Sequence, residues 1–261
     1  MNLYEAIYNR KSVRKYTSER IPEAVLEKIK AFAGKAAALN DQLRVEVQII
    51  DCTRKKPDLK GLWKVEAPYY LLFYSEQGKG YERNAGYMLE QIVLYMAAKG
   101  IGSCYLGGSR MGVPLMDGMR RVMVVAFGYP EGKLYRDSPL AKRLPLSELC
   151  VFKEEAGEQI KTVLKAARLA PSAMNTQPWR FIVYSNRIYI FSRKPALSVK
   201  MLDGMREISM GIMMSHIMLA AEELWLEPWG ANSLRVRATK EAEMPKESWA
   251  LLEAPECGAL H

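Results

Sequence analysis

The same order of helical and strand-like patterns occurs twice along this chain of 261 residues. In each half, a helical pattern leads to a loop containing Asn and Gln, then to two strand-like runs and a Met-rich helix. Residues 31–49 align with 166–184 at an offset of 135, with four identities. Residues 86–101 align with 211–226 at an offset of 125, again with four identities. The matched order predicts a tandem duplication of an α/β or α+β unit.

End signals and periodicity place the individual elements. Asn2 and Glu5 form a candidate capping box for a helix over residues 3–9, and Pro22 begins a helical pattern that continues to Ala38. Further helices are expected over 86–98, 157–170 and 207–224, and strands over 45–49, 68–74, 123–127, 181–184 and 187–192.

Histidine and cysteine are too few and too dispersed for metal or triad chemistry. The histidines are His216 and His261, and the four cysteines contain no C-x-x-C pair. We therefore expect no metal site, and expect the chemistry to come from an organic cofactor.

The net charge of +9 favours anionic partners such as phosphorylated cofactors, nucleic acids or membrane surfaces. The basic residues are spread along the chain, and no zinc-finger, basic-zipper or RNA-binding motif accompanies them. Nucleic acid is therefore a weak expectation. Charged residues near the start argue against a signal peptide, and the longest apolar run is broken by Ser215 and His216. We expect a soluble cytoplasmic protein without a membrane partner.

Three segments have compositions typical of ligand binding. The first, Arg10-Lys11-Ser12-Val13-Arg14, would place Arg10, Ser12 and Arg14 on one side of an extended chain, where guanidinium groups and a hydroxyl suit a phosphate. Taken alone, the segment is more typical of a solvated basic turn than of a phosphate site.

The second segment is a loop between two prolines, Pro171 and Pro178, which gives Ser172 and Asn175 a fixed backbone. Such a loop can present hydroxyl and amide groups to a planar polar ligand. The alternative is a stiff structural loop, and we expect Trp179 and Phe181, just after it, to lie in the core.

The third segment, residues 100–108, contains four glycines that allow the backbone to approach a ligand closely. These glycines follow a predicted helix, which distinguishes them from a dinucleotide-binding fingerprint. We expect Cys104 within this segment to be a small buried residue.

Together the segments resemble the nitroreductase family of FMN-dependent oxidoreductases. The shared motifs are R-x-S-x-R near the start, G-x-G-(S/T)-C-x-x-G-G, and A-P-S-x-x-N-x-Q-P-W, supported by Phe127-Gly128-Tyr129-Pro130 and Arg143-Leu144-Pro145. The resemblance extends over most of residues 2–226 and implies an α+β fold that binds FMN at the interface of a dimer.

The resemblance also implies roles for particular residues. The basic segment would hold the phosphate and ribityl chain, Arg143 would close on the phosphate, and Lys64 would lie near the pyrimidine edge. The glycine turn would lie along the flavin, and the proline-flanked loop would fill the place of the partner subunit. The implied FMN-binding residues are Arg10, Lys11, Ser12, Arg14, Lys64, Gly107, Gly108, Arg143, Pro171, Ser172, Ala173 and Asn175.

The chain departs from the family in the position of the proline-flanked loop, which normally follows R-x-S-x-R by a few tens of residues. Here residues 36–42 occupy that place without either proline, and the second half lacks the basic segment and the Gly-Gly turn. We therefore expect two nitroreductase-like halves, 1–152 and a degenerate 153–261, that form an intrachain pseudo-dimer. This monomer would keep one FMN site and would have lost the symmetry-related one.

The implied activity is hydride transfer from NADH or NADPH through FMN to a small-molecule electron acceptor such as a nitroaromatic or a quinone. No side chain is assigned as a catalytic acid or base. Two alternatives remain: an FMN-binding sensor or carrier without turnover, and a basic nucleic-acid-binding module.

Overall fold

The computed structural model describes residues 1–61, 64–136, 141–185, 187–193, 200–226 and 238–239. The chain divides into two compact units, Met1–Ala141 and Lys142–His261. Both units combine helices with strands, which confirms the expected α+β class.

The first unit is built on an antiparallel four-stranded sheet with the order β1-β3-β6-β4. All seven residues of β3 are buried, because this strand lies between two neighbours and contacts the long helix α3. A separate pair, β2 and β5, is also antiparallel. The elements are α1 (Leu3–Asn9), α2 (Glu23–Ala33), β1 (Val45–Asp51), β2 (Leu59–Lys60), β3 (Tyr69–Ser75), α3 (Tyr81–Ala98), β4 (Gly102–Tyr105), β5 (Arg110–Met111) and β6 (Arg120–Gly128).

Local sequence signals account for α1 but not for the end of α2. The capping box of α1 is confirmed: the Glu5 backbone N–H donates to Asn2 Oδ1 over 2.8 Å, and the Asn2 backbone N–H donates to Glu5 Oε2 over 2.9 Å. Helix α2 was expected to reach Ala38 but ends at Ala33. The Gln91 side chain on α3 exchanges hydrogen bonds with the backbone N–H and C=O of Ala37, and this long-range contact replaces further helical bonds.

The second unit contains a four-stranded sheet with the order β10-β9-β8-β7. The central pair β8 and β9 is antiparallel, whereas both outer pairs are parallel. Helix α5 packs against α6, where His216 Nδ1 lies 2.9 Å from the Ala166 carbonyl oxygen. The elements are α4 (Leu146–Leu149), β7 (Cys150–Phe152), α5 (Glu158–Arg168), a short 3₁₀ helix (Ala173–Asn175), β8 (Trp179–Val183), β9 (Ile188–Arg193), α6 (Lys200–Glu223) and β10 (Ala238–Thr239).

The boundary between the two compact units lies between residues 141 and 142, whereas the sequence predicts the boundary between the halves after residue 152. Residues 150–152 form β7, which pairs in parallel with residues 181–183 of β8. The last residues of the predicted first half therefore add an edge strand to the sheet of the second unit.

Across the described ranges, no helix is both long enough and apolar enough to cross a membrane.

Candidate functional site

The basic segment of the first unit is fixed along the ends of two strands. The Val13 backbone N–H donates to the Ser103 carbonyl of β4 over 2.9 Å, and Ser12 bridges Ser103 in parallel. A Cβ atom at Gly102 would lie 2.7 Å from Val13 Cγ2, so only glycine allows β4 to approach the segment this closely. Tyr16 Oη lies 2.6 Å from the Val13 carbonyl oxygen and adds a further restraint. The segment is thus held in place by β4 and by Tyr16.

The side chains of this segment lie in different environments. Arg10 is only 3% exposed, Lys11 and Ser12 are half-buried, and Arg14 is exposed. Arg10 Nε and Nη2 are buried and have no hydrogen-bond partner within the part of the chain that the structure describes. Buried guanidinium donors without partners are costly, and an oxyanion satisfies this edge in a bidentate manner.

Arg10 also belongs to a buried charged cluster that was not anticipated from the sequence. Its Nη1 lies 3.9 Å from Oε1 of Glu90, a fully buried residue of α3. The Tyr105 hydroxyl donates to Glu90 Oε2 over 2.7 Å. Burial and the neighbouring Glu90 raise the pKa of Tyr105 well above its usual value, which keeps the hydroxyl protonated as a donor.

The glycine segment is divided between a strand and a turn. Residues 102–105 form β4, while Gly107 and Gly108 form the turn that follows it. A Cβ atom at Gly61 would lie 2.8 Å from the Gly108 carbonyl oxygen, so the end of β2 lies directly against this turn. The turn is accessible, with Gly107 half-buried and Gly108 exposed.

Lys64 lies on an anchored stretch of chain and is itself exposed. The Tyr70 hydroxyl donates to the Val65 carbonyl over 2.8 Å and accepts from the Ala67 N–H over 2.9 Å. Burial raises the pKa of Tyr70 to about 12, so this anchor stays protonated at neutral pH. The backbone next to Lys64 is therefore fixed, while the Lys64 side chain is exposed to solvent.

Cys104, next to this turn, is buried, as expected. Burial raises the pKa of its thiol, which disfavours the thiolate needed for redox or nucleophilic chemistry.

The proline-flanked loop of the second unit has an unusual backbone. Met174, Asn175 and Gln177 have φ values of 50°, 57° and 45°, in the left-handed region that favours glycine. Asn tolerates this conformation, whereas Met and Gln adopt it at a cost. Such backbone strain is typical of functional sites.

Hydrogen bonds from its own motif residues hold the loop in this shape. The Gln177 N–H donates to Ser172 Oγ over 2.9 Å, and buried Gln177 Oε1 accepts from the Leu144 N–H over 2.8 Å. The Ser172 hydroxyl accepts this bond and can still donate its proton to a ligand. The Ala173 N–H donates to Ser209 Oγ on α6 over 3.2 Å, which ties the other side of the loop to the long helix.

Arg143 connects the R-L-P element to the loop and to the end of α5. It donates to Asn175 Oδ1 over 2.8 Å and to the carbonyls of Ala170, Lys142 and Leu169 over 3.0, 3.0 and 3.4 Å. The bonds to Ala170 and Leu169 satisfy carbonyls that follow the last turn of the helix. Together, the four bonds use most of the N–H groups of Arg143, which limits its capacity to close on a phosphate.

The predicted FMN-binding residues fall into two groups. Seven of them, Arg10, Lys11, Ser12, Arg14, Lys64, Gly107 and Gly108, belong to the first unit. The other five, Arg143, Pro171, Ser172, Ala173 and Asn175, belong to the second. Within the first unit β4 connects the basic segment to the glycine turn, and within the second Arg143 contacts Asn175.

Sequence reasoning missed Glu90, Tyr105 and Gln177. A signal existed for Glu90, because a carboxylate in the middle of the apolar pattern of α3 must find a partner when buried. Nothing local identifies that partner as Arg10 or Tyr105.

The donor set of the first unit fits FMN. A buried guanidinium edge without a partner suits the phosphate, and an accessible Gly-Gly turn suits the close approach of an isoalloxazine ring. The described residues contain no group of three His, Cys, Asp or Glu side chains that could hold a metal ion.

Comparison with known proteins places this architecture in one class of enzyme. Residues 2–221 match the family model described as "Putative TM nitroreductase". The chain therefore belongs to the nitroreductase family, a family of oxidoreductases.

One solved structure has the same fold. A crystal structure of a "putative nitroreductase" from Thermotoga maritima matches with a TM-score of 0.61 and 24% identity over 86% of both chains. A nitroreductase family protein from Streptococcus pneumoniae matches with a TM-score of 0.47 and 16% identity, over 56% of this chain and 96% of that one. An FMN-dependent nitroreductase from Clostridium difficile matches with a TM-score of 0.43 and 16% identity, over 55% of this chain and 97% of that one. No curated protein matches the sequence at a significant level.

Proposed function

We propose that this chain is an FMN-dependent NAD(P)H oxidoreductase that reduces a small organic acceptor such as a nitroaromatic or a quinone. Membership of the nitroreductase family supports a flavin-dependent oxidoreductase, and the buried guanidinium of Arg10 supports a flavin that carries a phosphate. Bound FMN would supply hydride acceptance and donation at its N5 atom.

The observation that carries the proposal is the unpartnered edge of Arg10. This residue is buried within a segment that also contains Lys11, Ser12 and Arg14, so two further cations and a hydroxyl lie within four residues of it along the chain. A phosphate would satisfy Arg10 Nε and Nη2 together. Each charge-assisted bond of this kind contributes about 1.5 to 3 kcal/mol.

We assign the other residues of the first unit to the flavin ring. Gly107 and Gly108 lie where the backbone can approach a planar ligand, and Lys64 would stabilise negative charge at the pyrimidine edge. The backbone that follows Lys64 is anchored at Val65 and Ala67 by the Tyr70 hydroxyl.

The proline-flanked loop supplies the remaining contacts in this proposal. Its rigid backbone would present Pro171, Ser172 and Ala173 to the same FMN, with Asn175 fixed by Arg143. We propose that Arg143 acts mainly as the clamp that preserves the loop conformation, since its hydrogen bonds already hold the loop.

Internal features of each unit support the proposed duplication. Helices α2 and α5 have the same length and coincide at the offset of 135, and α3 and α6 end together at the offset of 125. In the first unit Asn84 Oδ1 accepts from the Leu39 and Asn40 N–H groups. In the second unit Ser209, at the position corresponding to Asn84, accepts from the N–H of Ala173. We propose that the two halves act as a pseudo-dimer with one FMN per chain.

An absorbance spectrum of the purified chain, followed by a turnover assay, tests this function. The proposal predicts flavin bands and steady oxidation of NADH or NADPH when a quinone is supplied. Flavin bands without turnover would favour a sensor or carrier, and a colourless protein that does not bind added FMN would overturn the proposal. Arg10→Ala should lose most of its bound FMN, and Arg44→Ala, which removes an exposed charge outside the assigned residues, is its control and should retain FMN.

A further inference from the structure

The buried cluster of Arg10, Glu90 and Tyr105 contains more charge than a flavin phosphate site requires. Glu90 is fully buried, and its two carboxylate oxygens face different partners: Oε1 lies 3.9 Å from Arg10 Nη1, and Oε2 accepts from Tyr105. A buried carboxylate with a dedicated hydrogen bond is expensive to retain unless its charge is needed. Arg10 is a buried cation that lies next to this carboxylate.

We propose that Glu90 is the resident counter-charge of Arg10, and that it limits how tightly the chain holds the FMN phosphate. This inference rests on the proposed FMN site. Glu90 compensates the buried guanidinium when no flavin is present. The phosphate then shares that guanidinium with Glu90, because Nη1 faces the carboxylate while Nε and Nη2 remain for the incoming anion.

Two electrostatic effects follow from this arrangement. Without Glu90 the flavin-free chain would contain an uncompensated buried cation, which is destabilising. Once phosphate is bound, Glu90 and the phosphate are like charges on opposite edges of one guanidinium, and they repel each other across a poorly screened interior. Glu90 therefore stabilises the flavin-free chain and weakens the phosphate contact.

Tyr105 fixes Glu90 in this role. Its hydroxyl donates to the carboxylate oxygen that does not face Arg10, and its raised pKa keeps that donor protonated. Tyr105 ends β4, two residues before Gly107, so the same strand connects the cluster to the glycine turn.

The test compares FMN with riboflavin, which lacks the phosphate, in the Glu90→Gln variant. Glutamine preserves the shape and an acceptor oxygen but removes the charge. We expect the Tm of the flavin-free variant to fall by about 5–10 °C. We also expect the FMN-to-riboflavin affinity ratio to rise by about tenfold, with riboflavin affinity itself unchanged.

The matched control is Glu82→Gln on the same helix, where Glu82 also accepts a hydrogen bond from a tyrosine hydroxyl, that of Tyr81. This control should leave the affinity ratio unchanged. An unchanged or lower ratio in Glu90→Gln, or an equal rise in Glu82→Gln, would overturn the inference.

A double variant keeps the inference testable if Glu90→Gln alone does not fold. Arg10→Met with Glu90→Gln removes both charges and should be more stable than Glu90→Gln alone, with the affinity ratio of Arg10→Met. A double variant that is no more stable would contradict the counter-charge role. Failure of the unmodified chain to bind FMN would instead overturn the proposed function.

Discussion

The loops that follow α2 and α5 perform the same connection with different backbones. Residues 34–44 join α2 to β1 without any non-glycine residue of positive φ, whereas residues 169–178 join α5 to β8 with three. In both units a polar side chain on the long helix holds the loop. The left-handed conformations are therefore not needed to connect this helix to this strand, and we propose that they serve the ligand-binding role assigned to the second loop.

Among variants that compare the two loops, removal of the Arg143 side chain, which holds the second loop, should have the largest effect on stability. Arg143→Ala deletes the hydrogen bonds to Asn175 and to the carbonyls that follow α5, and leaves carbonyl groups unsatisfied. We expect a loss of about 2–4 kcal/mol in the free energy of unfolding, measured by urea denaturation. Arg143→Lys retains the positive charge but lacks the planar guanidinium with its several N–H donors, so it should recover less than half of the lost free energy of unfolding. Full recovery with Lys would show that charge alone holds the loop.

The two glutamines at corresponding positions give a matched comparison. Gln177 is buried and accepts from the Leu144 N–H, whereas Gln42 is exposed. Gln177→Ala should cost about 1–3 kcal/mol, because it leaves a backbone donor without its partner. Gln42→Ala should change the unfolding free energy by less than about 0.5 kcal/mol. Equal losses of unfolding free energy in Gln177→Ala and Gln42→Ala would show that the two glutamines contribute equally to stability, against this prediction.

Glycine substitutions at corresponding positions of the two loops should change the free energy of unfolding least of the three pairs, and in opposite directions. Glycine adopts the left-handed backbone of position 174 without strain, but it also raises the conformational entropy of the unfolded chain. We therefore expect Met174→Gly to raise the free energy of unfolding by about 0.5 kcal/mol. Leu39→Gly, at the corresponding place in the first unit, relieves no strain and should destabilise by about 1 kcal/mol. If the strained backbone holds the loop in its FMN-binding conformation, FMN should also dissociate faster from Met174→Gly. An unchanged dissociation rate would show that the strain does not contribute to FMN binding.

Sequence patterns predicted those parts of the fold that depend on local signals. The capping box of α1 and the apolar run of β3 lie where they were expected, because both depend on residues within a few positions of each other. The predicted end of α2 was wrong and β4 was not predicted, since the contacts of Gln91 with Ala37 and the pairing of β4 with β6 join distant positions.

The candidate site shows the same division. Motif spacing identified the basic segment and the proline-flanked loop, but it could not assign the contacts that hold them. The hydrogen bonds of Arg143 and the ion pair between Arg10 and Glu90 depend on side-chain directions that are fixed only once helices and strands have packed. Whether both groups of residues contact one FMN stays a prediction.

The flavin content of Arg10→Ala, measured by absorbance against the unmodified chain, tests the central proposal most directly. The unmodified chain should bind about one FMN per polypeptide, and the variant should lose most of it while binding riboflavin as before. Full retention of FMN by Arg10→Ala, or two FMN molecules per unmodified chain, would contradict the account.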